Sequence, residues 1–372
     1  MATEVLHCDI AVLGAGPAGI ATALALHQKG RHVVLIGKAA ADALKVGEFL
    51  PASMQRMFRT LDLGKVEDVL GPDSTLHCQA KSSAWGSDDW TYQDGLRDPE
   101  GGGWHILRHR FEQRLLDIAR QRGIPHRDGR LVELSDNGTD YRVEAAGDDG
   151  PITVQCPRLV DATGRAAWLV RRVADAPRKR NTQMAVAGWV LGTPGTVESV
   201  TRVKSVENGW WYTAPLPGRQ RVIVFHGMPD SVSHLMRQPG EFLQLARQAG
   251  LIDHATANAE RLAPLQSCDA SVGLSPNVAG KRWLAVGDAA LSFDPLSSQG
   301  MHFAFYSAIK ARDAVCNAVR AADEQDAYLA MERYCTQISD VFEVNQRTRF
   351  LFYNQEARYR HAPYWQEQRG KF

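Results

Sequence analysis

The sequence predicts an α/β protein with an N-terminal parallel sheet flanked by helices, a second, mostly antiparallel sheet, and helices at the C-terminus. Three observations predict it. An apolar run, CDIAVL (Cys8 to Leu13), leads into a Gly-rich turn, a helix-like stretch and a second apolar run, HVVLI (His32 to Ile36). Strand-like segments fill the middle of the chain at Met184 to Leu191, Trp210 to Ala214 and Val222 to His226. After Gln299, Met301, Ala304, Phe305, Ala308, Ala311 and Val315 recur at helical spacing, and a polar, aromatic helical tail follows.

The first element is a strand–turn–helix–strand unit. Cys8 to Leu13 ends at Gly14-Ala15-Gly16-Pro17-Ala18-Gly19, Ile20, Ala23, Leu24 and Leu26 give the helix its apolar face, and Gly30 stops it. Gly14 permits the tight turn, Gly16 lets backbone approach a pyrophosphate, and Gly19 lets helix pack on strand. The helix then opens with Pro17 and Ala18, and its free N–H groups face the phosphates. This is a Rossmann-like dinucleotide unit. One expected part is missing: the carboxylate that holds the adenosine ribose, about 20 residues on, is replaced by Gly37 and Lys38. Backbone or Lys38 is expected to hold the ribose instead. NAD and FAD are not separated by this motif.

Further segments bear on that choice. WHILRHRFEQRLLDIARQRG (104–123) reads as an amphipathic helix with Arg108 near its start, where a guanidinium can meet a phosphate, a ribose or a surface carboxylate. RLVDATGRAAWLV (158–170) and RWLAVGDAA (282–290) each run from a buried-type strand into a carboxylate and a glycine, the pattern a polyol chain requires. Gln299-Gly300 opens a long helix, so Gly300 and Met301 present its positive end. A reduced flavin carries negative charge at one ring edge, so GDAALSFDPLSSQGM reads as a flavin loop, with Asp288 for the ribityl hydroxyls and Gly300 and Met301 for the ring.

The chain of 372 residues is long enough for one large or two intertwined domains. A formal charge of +1 gives no field that favours nucleic acid or an anionic membrane. Six cysteines stand without CxxC or metal-type spacing. No apolar run reaches the ~20 residues that span a bilayer, and no basic region precedes the first apolar run, so a cytoplasmic protein is expected.

GAGPAG, R-x-x-F (Arg108 to Phe111), VDATGR and GDAALSFDPLSSQG together resemble the FAD-dependent monooxygenase superfamily with the para-hydroxybenzoate hydroxylase fold. Within it the chain is similar to the branch that holds tryptophan halogenases, geranylgeranyl reductases and the LodB/GoxB/QhpG-like flavoproteins. VGEFLPAS (46–53), SSAWGSDD (82–89), Gly103 to His105, GWWYTAPLP (209–217) and DPLSSQGM resemble the last group most. That resemblance implies FAD contacts at Gly14, Gly16, Gly19, Arg108, Asp288 and Gly300, with Pro295 in the same loop. It also implies hydroxylation of a tryptophan in a partner amine oxidase or dehydrogenase, leading to a tryptophan-derived quinone. With one GxGxxG only, no dedicated NAD(P)H domain is expected. The reductant is then transiently bound NAD(P)H or a separate reductase.

On these segments, residues 1–75, 104–172 and 280–325 are expected to form a discontinuous FAD-binding domain. Residues 76–103 and 173–279 form a substrate domain, and 326–372 a C-terminal helical segment that packs back or meets a partner. Trp210 and Trp211 are neighbours in a strand, so one faces the pocket and the other the core. Tyr212 continues that frame and, with Glu48 and Lys81, is a candidate catalytic residue; both tryptophans and His105 are candidate pocket residues. Glu48, in an apolar setting, is a candidate proton carrier or a cap for the helix after Ser53. His302 is a further candidate proton carrier. A halogenase is expected to carry W-x-W-x-I-P and a pocket lysine able to capture hypohalous acid. Here Trp210, Tyr212 and Pro215 occupy that frame, and Lys81 lies near the lysine's expected place. Halogenation or hydroxylation of a small aromatic or indole is therefore the alternative function.

Overall fold

The computed structural model describes residues 5–95, 101–174, 176, 178–192, 200–252 and 262–370. Parts of the expected substrate domain, residues 96–100, 175, 177, 193–199 and 253–261, lie outside the described residues, as do 1–4 and 371–372.

Five parallel strands form the first sheet, in the order Trp283–Ala285, Arg158–Asp161, Ile10–Leu13, Val33–Ile36 and His126–Arg127. Ile10–Leu13 and Val33–Ile36 are buried at every position, because a parallel sheet is covered on both faces and its central strands are apolar throughout. Helix Pro17–His27 joins them and packs against helix Gly300–Arg320. The turn at Gly287 sits against both helices: a Cβ there would lie 2.7 Å from the Ala18 Cβ and 3.9 Å from the Ala304 Cα.

The second sheet has seven strands, in the order Gln266–Asp269, Met184–Leu191, Gln220–Gly227, Gly209–Leu216, Val200–Val206, Ala80–Ala84 and Thr91–Asp94. All its pairs are antiparallel except Val200–Val206 with Ala80–Ala84. Strand alternation gives it two apolar faces. Val186, Trp211, Ile223 and Phe225 pack under helix Pro239–Gln248. Ala185, Trp189, Val222 and Val224 face the other way, with Tyr212 against them.

The expected helix over 104–123 begins later. Trp104–Ile106 is a strand paired with Phe49–Leu50 and Thr75–His77, and the helix runs over Arg108–Gln121. Its four-residue periodicity starts only at Phe111, whereas Trp104, His105 and Ile106 are buried on every side.

Helices Glu324–Gln355 and Pro363–Arg369 close the fold, the first capped by the Asp323 side chain on the Asp326 N–H. They fold back onto the body: Tyr353, Tyr364 and Trp365 pack with Trp210 and Trp85. No helix among the described residues is long and apolar enough to cross a membrane.

Candidate active site

A cavity of about 720 Å3 runs from the Gly-rich turn, past the 287–301 loop, to the inner face of the antiparallel sheet. That lies within the ~300–1,000 Å3 of cofactor and ligand sites. At its first end Gly14 has φ +112°, and a Cβ there would strike the Ala162 carbonyl. A Cβ at Gly19 would strike the Gly14 carbonyl, so helix and turn touch backbone to backbone. Gly16 faces open space, and Gly16, Pro17 and Ala18 line the cavity. Helix Pro17–His27 has no side-chain cap and no acid in its first turn, so its N–H groups are left for a ligand.

The missing ribose carboxylate has a structural reason. A Cβ at Gly37 would lie 2.6 Å from the Ala15 backbone nitrogen, so the strand end presses on the glycine turn and excludes a side chain. Lys38 is exposed and lines the cavity, as do Gly129, Arg130 and Leu131. The last three went unrecognised in the sequence because no local pattern marks them. The parallel pairing of His126–Arg127 with Leu35 and Ile36 brings that chain alongside.

The two carboxylates that look alike in sequence part company here. Asp161 is fully buried, and its oxygens accept from the N–H groups of Thr163, Leu169 and Val170 and from the Thr163 hydroxyl at 2.6–3.0 Å. It holds the turn and offers nothing to a polyol. Asp288 lines the cavity with 35% of its side chain exposed, and Arg165 Nε stands 3.4 Å from its Oδ2.

Pro295, Gly300 and Met301 also line the cavity. Helix Gly300–Arg320 has no side-chain cap and no first-turn acid, and a Cβ at Gly300 would meet open space. Asp294 shapes this loop. Its Oδ1 accepts from the Leu296 N–H at 3.0 Å, while its Oδ2 receives Arg349 Nε and the Tyr353 hydroxyl, both at 3.0 Å. These partners come from the C-terminal helix.

Arg108 lines the cavity between the two ends, with its Nε on Glu112 at 2.7 Å and its Nη1 on the Val46 carbonyl at 3.1 Å. Lys45 binds the other Glu112 oxygen at 2.7 Å.

At the far end stand Trp210, Tyr212, Glu48 and Phe49. Glu48 is 5% exposed and accepts from the Gly47 N–H at 2.8 Å. It does not cap helix Met54–Thr60, which has no side-chain cap. Burial, and then the adjacent Glu48 charge, raise the Tyr212 hydroxyl well above its ordinary pKa, so it stays protonated and can donate. His226, unnoticed in the sequence, lies directly opposite Trp210 across the strands and stacks on its ring at 3.7 Å and 9°. Burial lowers its pKa to about 3, so the wall is neutral at neutral pH.

Four expected residues lie elsewhere. Trp211 points to the opposite face of its strand and packs on Phe225 and Phe242, outside the cavity. His105 is fully buried behind Phe49, with Nε2 2.8 Å from the Thr201 hydroxyl. Burial, then Arg221 and Lys81, lower its pKa to about 3, which removes it as a proton carrier near neutrality. Lys81 is exposed, with its ammonium 4.5 Å from the Phe49 ring centre, and does not line the cavity. His302 does not line it either, and burial lowers its pKa.

Two helix N-termini aimed into one elongated cavity suit a ligand with a pyrophosphate and a distant electron-rich ring. This scaffold and cavity are those of an FAD-dependent oxidoreductase. The chain belongs to the Tryptophan halogenase family, which it matches over residues 94–371. It is 28% identical over 366 residues to LodB of Marinomonas mediterranea, assigned as an FAD-dependent oxidoreductase, with 96% of each chain covered. It is 26% identical over 370 residues to the tryptophan 2-halogenase of Chondromyces crocatus, covering 92% of this chain and 69% of that one. Among solved structures, the flavin-dependent halogenase CmlS superposes with a TM-score of 0.84 at 20% identity, covering 98% of this chain and 68% of that one. The peptidyl tryptophan dihydroxylase QhpG, essential for tryptophylquinone cofactor biogenesis, superposes at 0.78 with 24% identity, covering 98% and 79%. At these identities the solved structures speak for the fold, and they share the two-sheet α/β architecture expected from the sequence.

Proposed function

We propose that this FAD-dependent enzyme is a monooxygenase that hydroxylates a tryptophan side chain of a partner amine oxidase or dehydrogenase, on the way to a tryptophan-derived quinone. The observation that carries the reading is the make-up of the far end of the cavity. Trp210 on His226 makes a flat aromatic wall on which an indole can stack. Tyr212 offers a donor and Glu48 an acceptor. Among the described residues no unengaged lysine lines that end: Lys81 lies outside the cavity with its ammonium against the Phe49 ring, and Lys45 is held by Glu112. The resemblance to LodB along nearly the whole chain supports the FAD-dependent part of this reading, and QhpG, a peptidyl tryptophan dihydroxylase of the same fold, is the precedent for the substrate.

In this reading the Gly14–Ala18 turn and the first N–H groups of helix Pro17–His27 bind the FAD pyrophosphate. Lys38 holds the adenosine side, Asp288 the ribityl hydroxyls, and the N–H groups at Gly300 and Met301 the ring edge, with Pro295 fixing the loop and Arg108 the middle of the cavity. Bound and reduced, FAD supplies the oxygen-activating chemistry. The protein's own part is to stack the indole on Trp210, orient it through the Tyr212 hydroxyl and receive at Glu48 the proton the ring carbon loses. The reductant is NAD(P)H or a separate reductase.

Family membership favours a second reading, halogenation of a small indole, and Lys81 separates the two. With reduced FAD, oxygen, halide and free tryptophan, no halogenated product is expected, and Lys81→Ala is expected to leave oxidation of the partner's tryptophan at the wild-type rate. Halogenated tryptophan that disappears in Lys81→Ala would replace the first reading with the second.

A further inference from the structure

A second cavity of about 580 Å3 adjoins the first and shares Arg165 and Asp269 with it. Among the described residues, four guanidinium groups line it, those of Arg165, Arg171, Arg178 and Arg180, against one lining carboxylate, Asp269. Asp269 is already divided, with Arg180 Nη1 at 3.1 Å and Arg165 Nη1 at 3.6 Å. Arg178 is anchored entirely by neutral acceptors: the Asp288 and Gly273 carbonyls at 2.7 and 2.6 Å and the Ser292 hydroxyl at 2.9 Å. Its Nε is buried with no partner among the described residues. The Arg171 side chain is exposed and makes no hydrogen bond or ion pair within the described residues. Positive charge is thus concentrated here in a chain whose formal charge is only +1. Burial is the main reason Arg178 is lowered to about 10; Asp288 and Asp269 oppose the shift, and Arg165 and Arg171 add to it.

We propose that this second cavity binds a phosphate-bearing anion. Several planar forks facing one space match the multiple oxygens and multiple charge of phosphate better than a single carboxylate. An anion there competes with Asp288 and Asp269 for Arg165, the side chain that walls both cavities. Occupancy is therefore felt at Asp288 in the cofactor cavity. The proposal does not depend on which aromatic substrate the enzyme oxidises. Two sources carry the chemistry: free phosphate or pyrophosphate, and the phosphates of a nicotinamide dinucleotide.

The test is calorimetric titration of inorganic pyrophosphate into the FAD-saturated protein at low salt, with competition by NADPH and NADH. Saturable binding is expected, falling as salt rises, and weakened by about tenfold or more in Arg171→Gln/Arg180→Gln. Arg171→Lys keeps the charge but loses the fork, and is expected to weaken binding less. An unchanged melting temperature and flavin spectrum in the variants show that fold and cofactor are intact. Displacement by NADPH or NADH identifies the dinucleotide as the source, and failure to displace identifies free phosphate. No saturable binding by the wild-type protein, or equal affinity in the folded double variant, overturns the proposal.

Discussion

Asp294→Ala is expected to destabilise the protein by about 3–5 kcal/mol, the usual consequence of stranding one member of a buried ion pair. Asp294 and Arg349 have side chains only 2% and 5% exposed, with Nε 3.0 Å from Oδ2. Removing the carboxylate takes the Asp294 charge away from the buried Arg349 guanidinium, strips the Tyr353 hydroxyl of an acceptor and uncaps Leu296. Gln368 and Gln183 continue the network through Arg349 Nη2 and the Tyr353 and Tyr364 hydroxyls, so the loss spreads into the C-terminal helices. Because Asp294 sits in the loop that lines the cavity, FAD affinity is expected to fall as well. Asp294→Leu/Arg349→Met, which removes both charges, is expected to recover much of the stability. Urea unfolding midpoints measure both. A loss below about 1 kcal/mol for Asp294→Ala would contradict a closed, desolvated pair.

Acidification is expected to weaken the fold through two histidines. In the unfolded chain a histidine titrates near 6.5, whereas His105 and His226 are lowered to about 3, burial being the larger cause for both. Above pH 6.5 both are neutral in either state, and their contribution to stability is fully present. Between about 6.5 and 3 the unfolded chain takes up protons that the fold refuses, so stability falls with pH. From pH 7.5 to 5 the two together are expected to remove about 4 kcal/mol. Unfolding midpoints at the two pH values measure the drop in wild type and in His105→Gln/His226→Gln. In the double variant the drop should shrink by that amount, and an equal drop would contradict it.

The parts of the site legible in the sequence are those built from local backbone. GAGPAG and the Gly-Asp loop announce themselves because a tight turn, a close approach and a helix start each restrict residue type within a few positions. The opposed faces of Trp210 and Trp211 followed from strand alternation alone. Asp161 and Asp288 share a local pattern, yet one feeds its own turn and the other faces the cavity, a difference set by where the following residues Leu169 and Val170 return. The Asp294–Arg349 pair spans 55 positions and Tyr353–Gln183 spans 170, so nothing near Asp294 announces them. The sequence places Lys81 and His105 by segment only. Side-chain direction, however, depends on which strands pair: Phe49 lies on the strand beside His105, and the Lys81 ammonium from the other sheet rests on the Phe49 ring, outside the cavity.

The central claim, oxygenation of a protein-borne tryptophan, is tested most directly by intact and peptide mass spectrometry of the partner protein. The partner is incubated with this enzyme, reduced FAD and oxygen, with halide present. The account predicts that one partner tryptophan gains the mass of oxygen, in steps of whole oxygen atoms, and that none gains halogen. An unmodified partner alongside halogenated free indole, or a halogenated partner tryptophan, would contradict it.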